Sequence, residues 1–126
     1  MAWNVLWVAL GGAIGSSSRY LAGLAMAAWL GESWPWATLA VNLLGCLAMG
    51  ALAGLAEGVP VHPAVKLALA TGVLGGFTTF SAFGLETWTL AGRSGPSAIA
   101  YVMITCIGCL STTGIGLFAT RWVVQA

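Results

Sequence analysis

Four long apolar runs, at residues roughly 3–30, 37–56, 64–90 and 97–121, occupy most of this 126-residue chain. A helix that crosses a bilayer needs about 20 apolar residues, and each run is long enough. Only 6% of the residues are charged and 60% are hydrophobic, whereas a soluble domain carries about 25% charged residues. The chain could not cover a globular surface with polar groups. We therefore expect one all-α integral membrane domain over residues 1–126, with four transmembrane helices.

Turn residues and tryptophans support these boundaries. The stretch "GESWPW" at 31–36 separates the first two runs, and the prolines of "EGVPVHP" at 57–63 forbid a continuous helix there. All seven tryptophans lie at or near the run ends, as in an aromatic belt. Lipid-facing strands would alternate polar and apolar residues, which these runs do not. The first run lacks a basic leading region and is too long for a signal peptide.

Glycine pairs spaced four residues apart recur in three of the runs. Glycines at this spacing let two helix backbones approach closely, so we expect them to mark tight helix packing and oligomerisation. They are Gly11 with Gly15, Gly50 with Gly54, and Gly72 with Gly76.

The basic residues give only a weak signal for membrane orientation. With four spans, both termini share a side, and that side carries Lys66 and Arg121 while the other carries Arg93. A bias of two to one does not fix the direction of insertion. We expect a chain that inserts in both directions.

Three polar residues within the runs are candidates for function. Arg19 lies more than ten residues from either end of its run, where ionisable residues usually face a bundle interior or a cavity, unless Arg19 snorkels or pairs with Glu86. Asn42 either donates its amide to an anion or bonds another helix. Glu86 is the acid that a proton-coupled transporter would need, although its position just before Trp88 favours the membrane interface.

Run 4 carries one polar stripe at helical spacing, formed by Tyr101, Thr105, Cys109 and Thr113. Such polar side chains either line a path for an ion or bond back to carbonyls one turn earlier. The regular spacing favours a path.

Enzyme, metal and nucleic-acid chemistry find little support in the sequence. Cys106 and Cys109 form a CxxC without further zinc ligands, so we interpret them, with Cys46, as small apolar fillers. We find no pairing of a nucleophile with a base and no phosphate loop. Four basic residues are too few for nucleic-acid binding.

The stretch "GGFTTFSAF" at 75–83 predicts that the third helix is broken near mid-membrane. Backbone groups freed by a break are tolerated only inside protein or along a cavity. Freed carbonyls there are ligands for hard cations, although hydroxyls could instead satisfy a glycine-softened kink. Phe80 and Phe83 either pack or present their positive ring edges to an anion.

Three segments together resemble the Fluc/CrcB fluoride channels. "GGAIGSSSRY" is similar to the family's GGxxGxxxRY, "TLAVNLLGCLAMG" to GTLxVNxxGxxxxG, and "GVLGGFTTFSAFGLE" to GxxGGxTTFSTFSxE. The resemblance covers nearly the whole chain. It implies passive, selective fluoride efflux across the cytoplasmic membrane, which protects a cell that accumulates fluoride as HF.

The resemblance also implies an assembly and a set of site residues. Two copies would form an antiparallel, dual-topology dimer with two fluoride pores. A structural sodium ion between the copies would be held by the backbone carbonyls of Gly75 and Thr78. The implied pore residues are Phe80, Phe83, Asn42, Thr105, Cys109, Thr113, Tyr101, Ser81 and Arg19.

The chain departs from the family pattern near the break and in run 4. Ala82 stands where the family usually has Thr, Gly84 replaces a Ser, and Cys109 lies where Ser is common. A thiol is a weaker donor than a hydroxyl, so the contribution of the run 4 stripe to conduction is the most affected.

Two other functions compete with the channel. A small multidrug exporter, with proton coupling, is also short and of dual topology, but it needs an acid in its first helix, and run 1 has none before Glu32. A scaffold subunit would explain the glycine pairs but not the broken helix with its phenylalanines.

Overall fold

The computed structural model describes residues 2–126, and every regular element in that range is helical. No strand occurs among these residues, so the all-α prediction is confirmed. The elements in chain order are α1 (Ala2–Leu30), α2 (Trp36–Gly58), α3 (Pro63–Lys66), a π-helical segment (Leu67–Leu74), α4 (Gly75–Phe77), α5 (Phe80–Arg93) and α6 (Gly95–Gln125).

Three helical stretches are long and apolar enough to cross a membrane. They are Trp36–Gly58, Pro63–Arg93 and Gly95–Gln125, with mean hydropathies of 2.0, 1.4 and 1.8 over their most apolar windows. Such repeated spans indicate a multi-pass membrane protein. The 29-residue α1 matches them in length but is less apolar and is not among the three.

Glycine, proline and short polar residues set the ends of the helices. Gly31, with φ of 75°, ends α1 in the left-handed conformation that glycine adopts without strain. Pro63 lies in the first turn of α3, where a missing N–H costs nothing. The hydroxyl of Ser94 accepts the N–H of Ser97 at 3.4 Å and caps α6.

Glycine pairs bring two sets of helices into backbone contact. A Cβ added to Gly15 would meet the carbonyl of Val73 in the π-helical segment, and one added to Gly50 would meet the carbonyl of Thr113 in α6. Gly76 similarly faces the backbone of α1. The prediction that these pairs permit close helix packing is confirmed, and α1 packs on the third helical stretch while α2 packs on α6.

The third helical stretch is irregular at two places. Residues Leu67–Leu74 form π-helical turns, a rare geometry that is frequent at functional sites. Further on, α4 ends at Phe77 and α5 begins at Phe80. Between them Thr78 (φ −80°, ψ 158°) and Thr79 (φ −151°, ψ 119°) have extended backbones. We call Thr78 and Thr79 the interruption.

A small apolar cluster holds α5 against α2 and α6. Its buried members are Leu39, Phe83, Leu90, Ala98 and Tyr101. This cluster places the residues that follow the interruption directly beside the polar stripe of α6.

Candidate functional site

Asn42 holds the interruption in place. Its side-chain Nδ2 donates to the carbonyl of Thr79 at 3.0 Å, and its Oδ1 accepts the N–H of the same residue at 2.8 Å. Asn42 is buried, so both bonds form away from water. One amide side chain thereby satisfies both backbone groups of a residue that has left the helix, as buried polar groups require.

The same bonds leave carbonyls at the end of α4 without their helical donors. In a continuous helix the N–H of Thr79 would bond the carbonyl of Gly75, but here it bonds Asn42. The carbonyl of Thr78 receives Arg19 Nη1 at 3.4 Å, a long contact. Thr79 uses its hydroxyl to cap α5 by accepting the N–H of Ala82 at 3.2 Å.

An open cavity of about 310 Å³ lies beside the interruption, between α2, α5 and α6. Its walls combine an amide, four threonines, three cysteines and two phenylalanines with one glycine and one methionine. The lining residues are Asn42, Gly45, Cys46, Met49, Thr78, Thr79, Phe80, Phe83, Thr105, Cys106, Cys109 and Thr113. We call this space the central cavity.

Two phenylalanines enter the wall of the central cavity from the first turn of α5. Phe80 is 81% exposed in the single chain, whereas Phe83 is 7% exposed. Their ring centroids are 5.3 Å apart, and Phe83 lies 5.2 Å from Tyr101, within the range of aromatic pairs. The rings continue to Trp34, which meets Tyr101 edge-on at 5.2 Å.

The threonines of the α6 stripe differ in how their hydroxyls are used. Thr113 Oγ1 donates to the carbonyl of Cys109 at 2.9 Å, the back-bonding that helical threonines commonly show. Thr105 is 5% exposed, and its Oγ1 has no hydrogen-bond partner among the described residues. An unsatisfied buried hydroxyl on a cavity wall is a donor and acceptor available to a ligand.

Glu86 is bonded to the two helices that flank α5. Its carboxylate accepts the hydroxyl of Thr38 and the phenol of Tyr101, each at 2.7 Å. Both donors are buried. These contacts form because α5 turns this face toward α2 and α6, and the local sequence does not encode such partners.

The structure brings together some of the predicted site residues and separates others. Six line the central cavity: Asn42, Phe80, Phe83, Thr105, Cys109 and Thr113. Thr78 lines it too. Arg19 lines a separate space of about 220 Å³ on the other side of Thr79. Tyr101, Ser81 and Gly75 lie outside the lining, and Ser81 Oγ is 3.3 Å from Thr79 Oγ1.

Sequence reasoning did not single out Thr38, nor Cys46 as a cavity residue. Thr38 donates to Glu86 from the first turn of α2. The available signal was its position four residues before Asn42, on the same helix face. Cys46 lies four residues after Asn42 on that face and could have been found in the same way.

Comparison with known proteins places the chain in a family. The family model described as "CrcB-like protein, Camphor Resistance (CrcB)" matches residues 6–117. A protein of Erythrobacter litoralis (strain HTCC2594) named "Fluoride-specific ion channel FluC" is 47% identical over 128 residues, which cover 94% of this chain and 93% of that protein.

Other relatives of nearly the same length carry the same name. One from Chloroflexus aurantiacus is 44% identical over 122 residues, 94% of this chain and 96% of its own. One from Chelativorans sp. (strain BNC1) is 43% identical over 124 residues, 97% of this chain and 99% of its own. These relatives are named as channels, not as enzymes or exporters. The chain belongs to the CrcB-like protein family.

Proposed function

We propose that this chain forms a fluoride-selective channel, and that fluoride passes through the central cavity. The observation that supports this pathway best is the Thr105 hydroxyl, which is buried in the cavity wall and unpartnered among the described residues. Asn42 provides a second donor, because only one of its two N–H groups is used to bond Thr79. The names of the relatives support the choice of ion.

The chemistry of the cavity suits a small, strongly hydrated anion. Fluoride needs donors that replace its water, and the amide and hydroxyl of the wall provide them in steps. Phe80 and Phe83 add the positive edges of their rings. None of the cavity-lining residues carries a full charge. Binding therefore stays weak enough for the ion to leave, as conduction requires.

The arrangement in the membrane forms part of the proposal. The whole chain is one domain with four spans, α1 being the fourth, and the interruption lies near mid-membrane. The charge bias of two to one supports insertion in both directions and assembly as an antiparallel dimer. Efflux is passive, down the electrochemical gradient, across the cytoplasmic membrane.

A structural sodium ion between the two copies is also proposed. Carbonyl oxygens are ligands that hard cations prefer, and Gly75 and Thr78 provide two that lack ordinary helical donors. One copy thus offers two oxygens, and the same two carbonyls of the second copy complete a shell of four. Arg19 donates to the Thr78 carbonyl at the long distance of 3.4 Å. The second lone pair of that carbonyl oxygen stays available to a cation. Exchanging sodium for an organic cation should lower the thermal unfolding temperature, and an unchanged temperature would contradict the site.

Two threonine variants test the proposed path. Thr105→Val removes a hydroxyl with no partner in the described chain, so we expect folding to be unaffected. Fluoride efflux from proteoliposomes should fall about tenfold, which corresponds to the loss of one hydrogen bond to a charged group. Thr113→Val is the matched control, because that hydroxyl already bonds the Cys109 carbonyl. Wild-type efflux from Thr105→Val would place the path elsewhere.

The exporter alternative has little support in the structure. Glu86, its remaining candidate for proton coupling, accepts hydrogen bonds from two buried hydroxyls. Proton-driven export that Glu86→Gln abolishes would revive it, whereas fluoride efflux without proton coupling would exclude it.

A further inference from the structure

The turn between α1 and α2 places a tryptophan against the buried apolar cluster. Pro35 has φ of −78° and ψ of 59°, and the N–H of Trp36 donates to the carbonyl of Trp34 at 2.8 Å. This geometry is an inverse γ-turn, and the proline ring fixes its central φ in advance. The boundary stretch "WPW" at 34–36 is therefore a rigid support for the side chain of Trp34.

Trp34 packs on Tyr101, a residue with no exposed surface. The two rings meet edge-on with their centroids 5.2 Å apart, and the ring of Trp36 lies 4.5 Å from that of Trp34. Trp34 is also one of the partly buried side chains that pack on the cluster containing Tyr101 and Phe83. Edge-on pairs stabilise beyond the area that they bury. Trp34 thus holds the Tyr101 ring together with Glu86, which accepts the hydroxyl of Tyr101.

The contact continues from Tyr101 to the central cavity. Tyr101 lies outside the lining of that cavity, but its ring centroid is 5.2 Å from that of Phe83, which belongs to the lining. Phe83 is buried, and a buried side chain occupies the space that its neighbours leave, because protein interiors are closely packed. A displaced Tyr101 ring would therefore displace part of the cavity wall.

We propose that Trp34 is a positioning residue for the central cavity, which acts through Tyr101 to hold the ring of Phe83 in the wall. Trp34 itself lines a different space, of about 400 Å³, beside the turn. Its influence on the central cavity then passes through packed rings, one of the physical routes by which separate sites are coupled. This role in transport rests on the proposed function, because it requires fluoride to pass through the central cavity.

Fluoride efflux from proteoliposomes, expressed per incorporated channel, tests the role of Trp34. Trp34→Leu removes the edge-on partner of Tyr101, and we expect efflux to fall about fivefold, the factor that corresponds to one aromatic pair. Trp34→Phe retains a ring and should stay close to the wild-type rate. Trp29→Leu is the matched control, because it removes an indole that is 86% exposed at the end of α1. A purely structural defect would reduce the yield of folded protein and leave the rate per channel unchanged.

A double-mutant cycle shows whether Trp34 acts through Tyr101. Tyr101→Leu removes the ring between Trp34 and Phe83, so adding Trp34→Leu to that variant should lower efflux no further. A full additional loss would overturn the proposal, because Trp34 would then act by another route. Gel filtration verifies folding of each variant. Where the rate of Tyr101→Leu is too low to compare, the cycle is measured on the Phe83 resonance described next.

The ring of Phe83 can also be observed without any ion transport. 4-Fluorophenylalanine incorporated at the four phenylalanines gives a ¹⁹F resonance for each, and Phe83→Leu identifies the relevant signal. Trp34→Leu should shift or broaden the Phe83 signal and leave that of Phe118 unchanged, whereas Trp29→Leu should change neither. Pro35→Ala loosens the turn but keeps the indole. It should change the Phe83 signal as well, and it provides the test if Trp34→Leu does not fold.

Two further results would overturn the proposal. They are an unchanged Phe83 signal in Trp34→Leu and a wild-type rate of fluoride efflux per channel from the same variant. Failure of the proposed function gives a different pattern. Fluoride efflux from the wild type no faster than chloride efflux would contradict the channel and the transport role of Trp34. A Phe83 signal that still responds to Trp34→Leu would in that case support the positioning of Phe83 by Trp34.

Discussion

At the residue scale, the geometry of the site depends on Asn42. This side chain both holds the interruption and lines the central cavity. The two roles are compatible because a side-chain amide has two N–H donors and an oxygen, and Thr79 uses one donor and the oxygen. The position of the released carbonyls and the start of α5 thus depend on one buried pair of hydrogen bonds.

Replacing Asn42 by Ala should therefore destabilise the protein. The N–H and C=O of Thr79 would lose their partners, and each unsatisfied buried group costs about 1–3 kcal/mol. We expect a lower thermal unfolding temperature in detergent and loss of fluoride efflux. Asn4→Ala, which removes an exposed amide from α1, is the control and should change neither. An Asn42→Ala protein that unfolds at the wild-type temperature would contradict the role of Asn42 in holding the interruption.

Several site residues could be predicted from the sequence because polar groups are rare within apolar runs. Asn42 and Arg19 stand out by type alone, and the α6 stripe by spacing. What each polar group bonds could not be predicted. Thr105 and Thr113 look alike in sequence, and only the packing of α6 leaves one hydroxyl unpartnered and the other bonded. The inward position of Glu86 depends on tertiary packing in the same way.

At the element scale, close backbone contact between helices keeps the interruption in position. The glycines of α1 let this helix lie directly on the π-helical segment, whose wide turns lead into α4. Hydropathy and turn residues predict the helices, since these signals are local. The π-helical turns leave no such local signal, because they form against the backbone of α1.

Substituting one glycine of a packed pair should separate these helices. In Gly15→Ala the new methyl would meet the Val73 carbonyl, and overpacking of this kind costs about 1–3 kcal/mol. Gly12→Ala, three residues earlier on α1, meets nothing within the chain and should be neutral or slightly stabilising. Thermal unfolding measures both. If the Gly15→Ala protein is as stable as the Gly12→Ala protein, the close contact between Gly15 and Val73 does not contribute to stability.

At the scale of the whole molecule, the single chain leaves much apolar surface uncovered. Phe80, although it lines the cavity, is 81% exposed. Lipid can cover the outer faces of the helices, but a cavity wall open on one side is better closed by a second copy. The proposed antiparallel dimer provides that closure and brings two sets of Gly75 and Thr78 carbonyls together.

Dual insertion makes a prediction about the two ends of the chain. Because the Lys/Arg bias is weak, a fluorescent protein and alkaline phosphatase, each fused after Ala126, should both be active in a Gram-negative host. The first reports a cytoplasmic end and the second an external end. Changing Arg93 to Ala removes the only basic residue that we assign to its side and should shift the signals toward one orientation. Activity of only one fusion in the wild type would contradict dual topology.

The most direct test of the central claim is ion efflux from proteoliposomes that contain the purified chain. Potassium fluoride is loaded inside, valinomycin clamps the charge, a fluoride electrode reads the release, and chloride serves as the comparison ion. We predict rapid fluoride efflux, little chloride efflux, and loss of fluoride efflux in Phe80→Ile, which removes a ring from the cavity wall. Fluoride release no faster than chloride release from well-folded protein would contradict the account.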